Sequence, residues 1–285
     1  MDLGGGDKMK PIDSFKTCFR IFLCAFFVVC LLNTVVSAQG MGSIPILQRQ
    51  VPYTVTKPGS YYLISNLIVN NPNVTVISIE SDNVTIDLNG FSIIGSGKES
   101  GGLGFAINTP NTNSNVLVRN GAVDSFGYVG VHLGGHFNNR AENLRVSNVK
   151  SCGILVGRSG FITNCQASYC GEGINCGDGS LITNNVLFSN GVGINMSRGY
   201  PGPVGGVAVI GNSCRLNVTG ITAQGEGCRI EGNTISLNET GIDFSFGTNT
   251  LFARNFLQGN NTALVGESDD IDGGSIDFAL SNIIR

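Results

Sequence analysis

Five stretches of this chain, Phe161 to Ile174, Leu181 to Ile194, Ala208 to Ile221, Arg229 to Ile242 and Leu251 to Leu264, superimpose without a gap over fourteen residues, at a period of 20 to 27. Column two is always apolar (Ile162, Ile182, Val209, Ile230, Phe252), as is column seven (Ala167, Leu187, Cys214, Ile235, Leu257), and column fourteen is Ile or Leu. Column sixteen continues the pattern with Cys176, Met196, Ala223, Phe244 and Gly266. Apolar positions two apart are the signature of one strand face, whereas a helix needs spacings of three and four sustained over ten or more residues. Gly173, Gly193, Gly220 and Gly241 in column thirteen, with Asn in columns five and ten, would break such a helix. Each unit therefore reads as a coil of short strands and turns. A single coil has nothing to cover its apolar side, so the coils must stack by parallel pairing, roughly 4.8 Å apart.

Columns five (Cys165, Asn185, Asn212, Asn233, Asn255) and ten (Cys170, Asn190, Asn217, Asn238, Asn260) form two ladders. Asn tolerates left-handed backbone at a tight bend, and a stacked amide can bond its counterparts above and below for about 1 kcal/mol per bond. The pattern extends upstream with distortion. Gly130-Val131-His132-Leu133 and Gly153-Ile154-Leu155-Val156 match the end of the block, while Asn83 to Gly90 and Asn115 to Gly121 match strand-and-turn starts. This gives about eight coils between Thr54 and Val265. With 41 glycines, no Trp and 13% charged residues, the composition fits many short strands joined by turns.

The first forty residues carry a different message. Lys8, Lys10, Lys16 and Arg20 precede an apolar run from Ile21 to Val36 and then the small residues Ser37 and Ala38, the order of an export signal. The run is shorter than the roughly 20 apolar residues of a spanning helix, so the expectation is cleavage after Ala38 and no stable membrane span. Cleavage moves the formal charge from −3 to −4 by removing four basic and three acidic residues. Such a surface gives no reason to expect nucleic acid. Six cysteines remain in the mature chain; Cys176 and Cys214 occupy inward columns, so buried thiols explain the set better than bridges, with disulfides and, more remotely, a metal site as the alternatives. The expected organisation is a signal segment at 1–38, an N-terminal cap at 39–75, a parallel β-helix at 76–266 and a C-terminal cap at 267–285.

The repeat block with its Asn ladders, together with Pro58-Gly59-Ser60-Tyr61-Tyr62-Leu63 and Ile86-Asp87-Leu88-Asn89-Gly90-Phe91, resembles the right-handed parallel β-helix repeat of the pectin-lyase-like superfamily over residues 51 to 265. The resemblance implies an all-β, right-handed solenoid. It leaves activity open, because the superfamily holds polysaccharide lyases, galacturonan hydrolases, uronate epimerases, carbohydrate-binding proteins, a copper-linked periplasmic branch and adhesins. The hydrolase elements are echoed only by Ser268-Asp269-Asp270 and Gly135-His136-Phe137, in the wrong order, and no His and Met ligand set matches the copper-linked branch.

Two groups of candidate site residues follow. His132 and His136 lie among Arg119, Arg140, Arg145, Lys150 and Arg158, and residues 115 to 160 hold five basic and two acidic side chains. A uronic-acid polymer would be drawn there; in a lyase, Arg119 or Arg145 would neutralise the carboxylate and His132 would take the proton. The bland alternative is a solvated surface with ion pairs between coils. The second group is the outward line Asn175, Asn195, Thr222 and Asp243, suited to sugar hydroxyls, with Tyr200 on the inserted loop Ser197 to Pro203 able to stack on a sugar ring. Glu172, Asp178 and Glu226 lie near that line, and a glycosidase would need two carboxylates roughly 5 to 9.5 Å apart.

The expected function is thus an exported β-helix, secreted or held in the envelope or periplasm. It would bind or process extracellular polysaccharide, uronic-acid polymers among the candidates, along a lateral groove. Enzyme status stays open between lyase and glycoside hydrolase. No cofactor or metal is expected, the partner is a polysaccharide or cell-surface glycan, and the oligomeric state is undetermined. A non-catalytic surface-structural or adhesin-like role is the alternative.

Overall fold

The computed structural model describes residues 42–110, 112–196, 204–245, 247, 249–266 and 282–284. Its contacts divide the chain into two units, Met1–Ser43 and Ile44–Arg285, and the described residues fall almost wholly in the second. That unit is a parallel β-solenoid of about nine turns, one more than the repeat count suggests. Its helical segments, among the described residues, are two three-residue turns, Gln48–Gln50 and Lys98–Ser100. No described helix is long and apolar enough to cross a membrane.

Each coil presents three faces. The first is a ten-stranded parallel sheet built from Tyr53–Val55, Ile77–Ile79, Phe105–Asn108, Val129–Phe137, Cys152–Arg158, Glu172–Cys176, Val192–Met196, Thr219–Ala223, Thr240–Asp243 and Thr262–Val265. The other two faces share an eighteen-stranded network. In the coils Leu117–Phe126 and Arg140–Val149 the chain runs through both faces as one strand, turned at Asn120 (φ 61°) and Asn143 (φ 53°). Further along, the same two faces separate into paired three-residue strands such as Phe161–Thr163 and Gln166–Ser168. Parallel pairing starts already at Ile44, which meets Tyr61, and Tyr53 meets Ile77, so stacking begins upstream of residue 76. At the other end Ile283–Ile284 pairs with Phe256 and Leu257; the remainder of the expected C-terminal cap, 267–281 and 285, lies outside the described residues.

The predicted columns are neighbours in space. Ile154, Ile174, Ile194, Ile221 and Ile242 pair in succession, and all are 0% exposed. The Asn ladders run as continuous amide stacks. Asn185 Nδ2 donates to Asn212 Oδ1 (3.0 Å), Asn212 to Asn233 (3.1 Å), Asn233 to Asn255 (2.9 Å) and Asn255 to Asn282 (3.1 Å). Asn190, Asn217, Asn238 and Asn260 do the same on the second ladder. Each acceptor oxygen also takes a backbone N–H of the coil before it, as Asn212 Oδ1 takes Asn185 N (2.9 Å), so these buried amides are satisfied.

One expectation about these Asn residues needs correction. The left-handed backbone falls one residue earlier, at Asn164, Asn184, Gly211, Gly232 and Arg254 before the first ladder, and at Tyr169, Ser189, Leu216, Leu237 and Gly259 before the second. The bend therefore belongs to a residue at the surface, exposed at every position but the half-buried Ser189, and the ladder Asn is chosen for its amide. Where Cys165 and Cys170 head the ladders, their thiols reach backbone carbonyls, Thr163 O at 3.4 Å and Ser168 O at 3.3 Å. All six described cysteines are free and buried. Burial pushes the Cys165 thiol up to about 12 and Cys170 up to about 11, so both stay protonated.

Candidate functional site

Strand alternation on the ten-stranded face sends Ile174 and Cys176 inward and Asn175 outward between them. Register then fixes what stands beside Asn175. Reading along the stack, Thr54 pairs with Ser78, Ser78 with Asn108, Asn108 with His132, His132 with Leu155, and Leu155 with Asn175. Asn175 pairs with Asn195, Asn195 with Thr222, and Thr222 with Asp243. The four residues Asn175, Asn195, Thr222 and Asp243 thus stand in one column, in which Thr222 is buried with 8% of its surface exposed, and His132 belongs to the same column two coils before Asn175. Tyr200 lies outside the described residues.

Around His132 the column acquires an aromatic flank. The Phe105 ring meets the imidazole edge-to-face at 5.4 Å and Tyr128 at 5.1 Å, and Tyr128 is exposed. Burial lowers the His132 pKa below its usual value, outweighing a backbone hydrogen bond that raises it, so the ring is neutral at neutral pH. On the other side runs bare backbone. A Cβ on Gly134 would come within 2.8 Å of His132 Nε2 and 2.9 Å of Leu155 Cδ2, and one on Gly157 within 3.0 Å of Gly134 O. Any side chain at Gly134 would collide with His132 and Leu155, so glycine is what lets these two side chains lie across the backbone.

Glu172 ties the middle of the column together. Asn175 Nδ2 donates to its Oε2 (2.8 Å) and Asn195 Nδ2 to its Oε1 (2.8 Å). Asp243 Oδ1 accepts from Ser245 N (2.9 Å) and Oγ (2.6 Å). Three shielded polar atoms lack a partner among the described residues, and all three belong to this column: Asn108 Oδ1, His132 Nδ1 and Asn195 Oδ1. Buried polar atoms are ordinarily paired, and leaving one unpaired costs about 1–3 kcal/mol. Their concentration in one column marks it out from the rest of the surface.

The basic candidates do not join this site. Arg119 stands on the second face, where its Nε bonds Asp87 Oδ2 at 2.9 Å. Arg145 stands on the third face, between Ala122 and Gln166. Arg140 pairs with Glu142 at 3.1 Å and lies 5.1 Å over the Phe161 ring. Lys150 follows the strand Arg140–Val149, and Arg158 is the last residue of Cys152–Arg158 on the ten-stranded face, where it pairs with Phe137. The five basic residues of 115 to 160 therefore spread over three faces and form no single strip, and His132 is not brought together with Arg119 or Arg145. Nor are Glu172 and Asp243 spaced as a glycosidase pair: their rungs are three coils apart, about 14 Å at the usual strand spacing.

Residue-by-residue reading missed Asn108, Leu155, Phe105 and Tyr128 as members of the site. The signal for Leu155 was present, since Gly130-Val131-His132-Leu133 and Gly153-Ile154-Leu155-Val156 align with Gly173-Ile174-Asn175-Cys176. That alignment assigns His132 and Leu155 to the Asn175 column directly.

The model of the family described as periplasmic copper-binding protein (NosD) matches residues 134–273, just under half of the chain. Among solved structures, the tailspike protein gp208 of Dettilon matches with 14% identity and a TM-score of 0.54, covering 75% of this chain and 54% of the tailspike. The mannuronan C-5 epimerase AlgE6 A-module of Azotobacter vinelandii matches with 16% identity and a TM-score of 0.51, covering 71% and 67%. The chain thus spans about half the length of the tailspike it matches, and at these identities the likeness is one of fold. No curated protein matches by sequence. With parallel stacking, ladders and these neighbours in agreement, the chain has the right-handed parallel β-helix fold.

Proposed function

We propose that this protein binds polysaccharide outside the cytoplasm, laid along the outward column of the ten-stranded face. The observation that carries the reading is the unbroken register of Ser78, Asn108, His132, Leu155, Asn175, Asn195, Thr222 and Asp243, with Phe105 and Tyr128 at its side. Rungs about 4.8 Å apart offer roughly one polar group per sugar ring. Amides, hydroxyls and an aromatic flank are the groups that bind sugars. Export is supported by the basic, apolar and small-residue order of the first forty residues and by a matching family described as periplasmic.

Binding without turnover is the form the geometry favours, because His132 has neither Arg119 nor Arg145 beside it. Copper is not part of the reading. Within 134–273 the candidate donors are His136, exposed; Met196, fully buried; and thiols held protonated by burial, while no three of His, Cys, Asp and Glu converge among the described residues. A copper centre needs deprotonated or neutral ligands gathered at one point, and this set does not fit it.

Affinity electrophoresis of the full chain through gels cast with soluble polysaccharides tests the proposal. Retardation by at least one polymer, weakened in His132→Ala, is the expected result. No change of absorbance at the unsaturated-product band should accompany it. Unaltered migration in every gel, with association to a protein or cell surface instead, would replace the reading with an adhesin-like one.

A further inference from the structure

We infer that the polymer taken by this face is uncharged and hydroxyl-rich and that polyuronates are excluded. The inference rests on the proposed glycan surface and deepens it. It follows from which hydrogen-bonding groups the column has left to offer.

A uronate presents carboxylate oxygens, which need donors or cations. Asn175 Nδ2 and Asn195 Nδ2 each place one N–H on the Glu172 carboxylate, so the amide donors in the middle of the column stand beside a negative charge that repels a second carboxylate. Acceptors stand among them. Asn108 Oδ1 and Asn195 Oδ1 have no partner among the described residues, and the neutral His132 ring carries one acceptor nitrogen in either tautomer. Each belongs to a half-buried side chain of the column, and a sugar hydroxyl is a donor that such acceptors can take. Hydroxyls can donate, and a carboxylate cannot.

Charge points the same way. The formal charges in the column or bonded to it are Glu172 and Asp243, both negative. Arg119 and Arg140 are held on another face by Asp87 and Glu142. Arg158 is the last residue of its strand, three positions past the Leu155 rung, and Lys150 lies two residues before that strand begins. A polyuronate threaded along the column would pass both carboxylates with no cation in register. A neutral chain meets acceptors that gain partners, and Tyr128 and Phe105 at the start of the row can take the apolar face of a ring.

The test runs the full chain at low salt through gels containing a soluble β-glucan, a galactomannan, polygalacturonate or alginate, with far-UV circular dichroism to check each variant's fold. Retardation by a neutral polymer and by neither uronate is expected, and the exposed Tyr128→Ala change should weaken it about tenfold. Stronger retardation by a uronate, reduced in Tyr128→Ala and His132→Ala, would overturn the inference while leaving the glycan face standing. Retardation by no polymer, or retardation that both folded variants leave unchanged, would overturn the face itself and the inference with it.

Discussion

At the scale of single residues, the bends of this solenoid divide labour between neighbours. The exposed residue adopts the left-handed conformation, and the next, buried residue supplies an amide. Most bend positions hold Asn, Gly or Ser, but Leu216 (φ 56°) and Leu237 (φ 55°) take that conformation with 44% of their surface exposed. For an ordinary L-residue this costs roughly 1–2 kcal/mol, sustained because the stack dictates the bend. An Asn there would adopt the angle more readily and could join its neighbour's amide, as exposed Asn115 Nδ2 donates to Asn83 Oδ1 at 3.1 Å. The double variant Leu216→Asn, Leu237→Asn is expected to raise stability by about 1 kcal/mol, read as a higher denaturation midpoint. A lower midpoint would mean that the leucines' contacts, such as Leu237 over Gly259, outweigh the backbone strain.

At the scale of the coil, the amide ladder is the element that registers one turn on the next. Asn233 donates to Val209 O (2.9 Å) and Asn255 Oδ1 (2.9 Å), and accepts from Asn212 N (2.8 Å) and Asn212 Nδ2 (3.1 Å). Replacing it with Ala leaves several buried groups unpaired at once, and a loss of about 2–4 kcal/mol in a denaturant titration is expected. A loss under 1 kcal/mol would show that the ladder is dispensable. This ladder was legible in the sequence because its steps there are regular, from 20 to 27 residues. Upstream the step from Asn83 to Asn115 is 32 residues, stretched by the loop that carries Lys98–Ser100, and the repeat blurs. The candidate site was half legible for a related reason: period-two alternation identifies outward residues on one strand, but only cross-coil register shows that His132 shares the Asn175 column while Arg119 and Arg145 do not. Phe105 and Tyr128 carried no sequence signal, because their closeness arises from pairing between coils whose lengths differ.

At the scale of the whole molecule, every coil touches only its two neighbours, so stability is nearly a sum along one dimension and opening should start from an end. The hidden sulfhydryls turn this into something observable. Cys214 and Cys228 lie in coils close to the C-terminal end of the stack, whereas Cys165, Cys170 and Cys176 share a coil at its middle. Each is inert to an alkylating reagent while covered, since only an uncovered, ionised sulfur reacts. In mild denaturant, mass spectrometry should find Cys228 and Cys214 alkylated before the central three; identical rates at all positions would mean that the rod melts as one cooperative block. The row of cysteines is in effect a graduated scale embedded along the rod's axis, on which the advance of an unravelling front can be followed notch by notch.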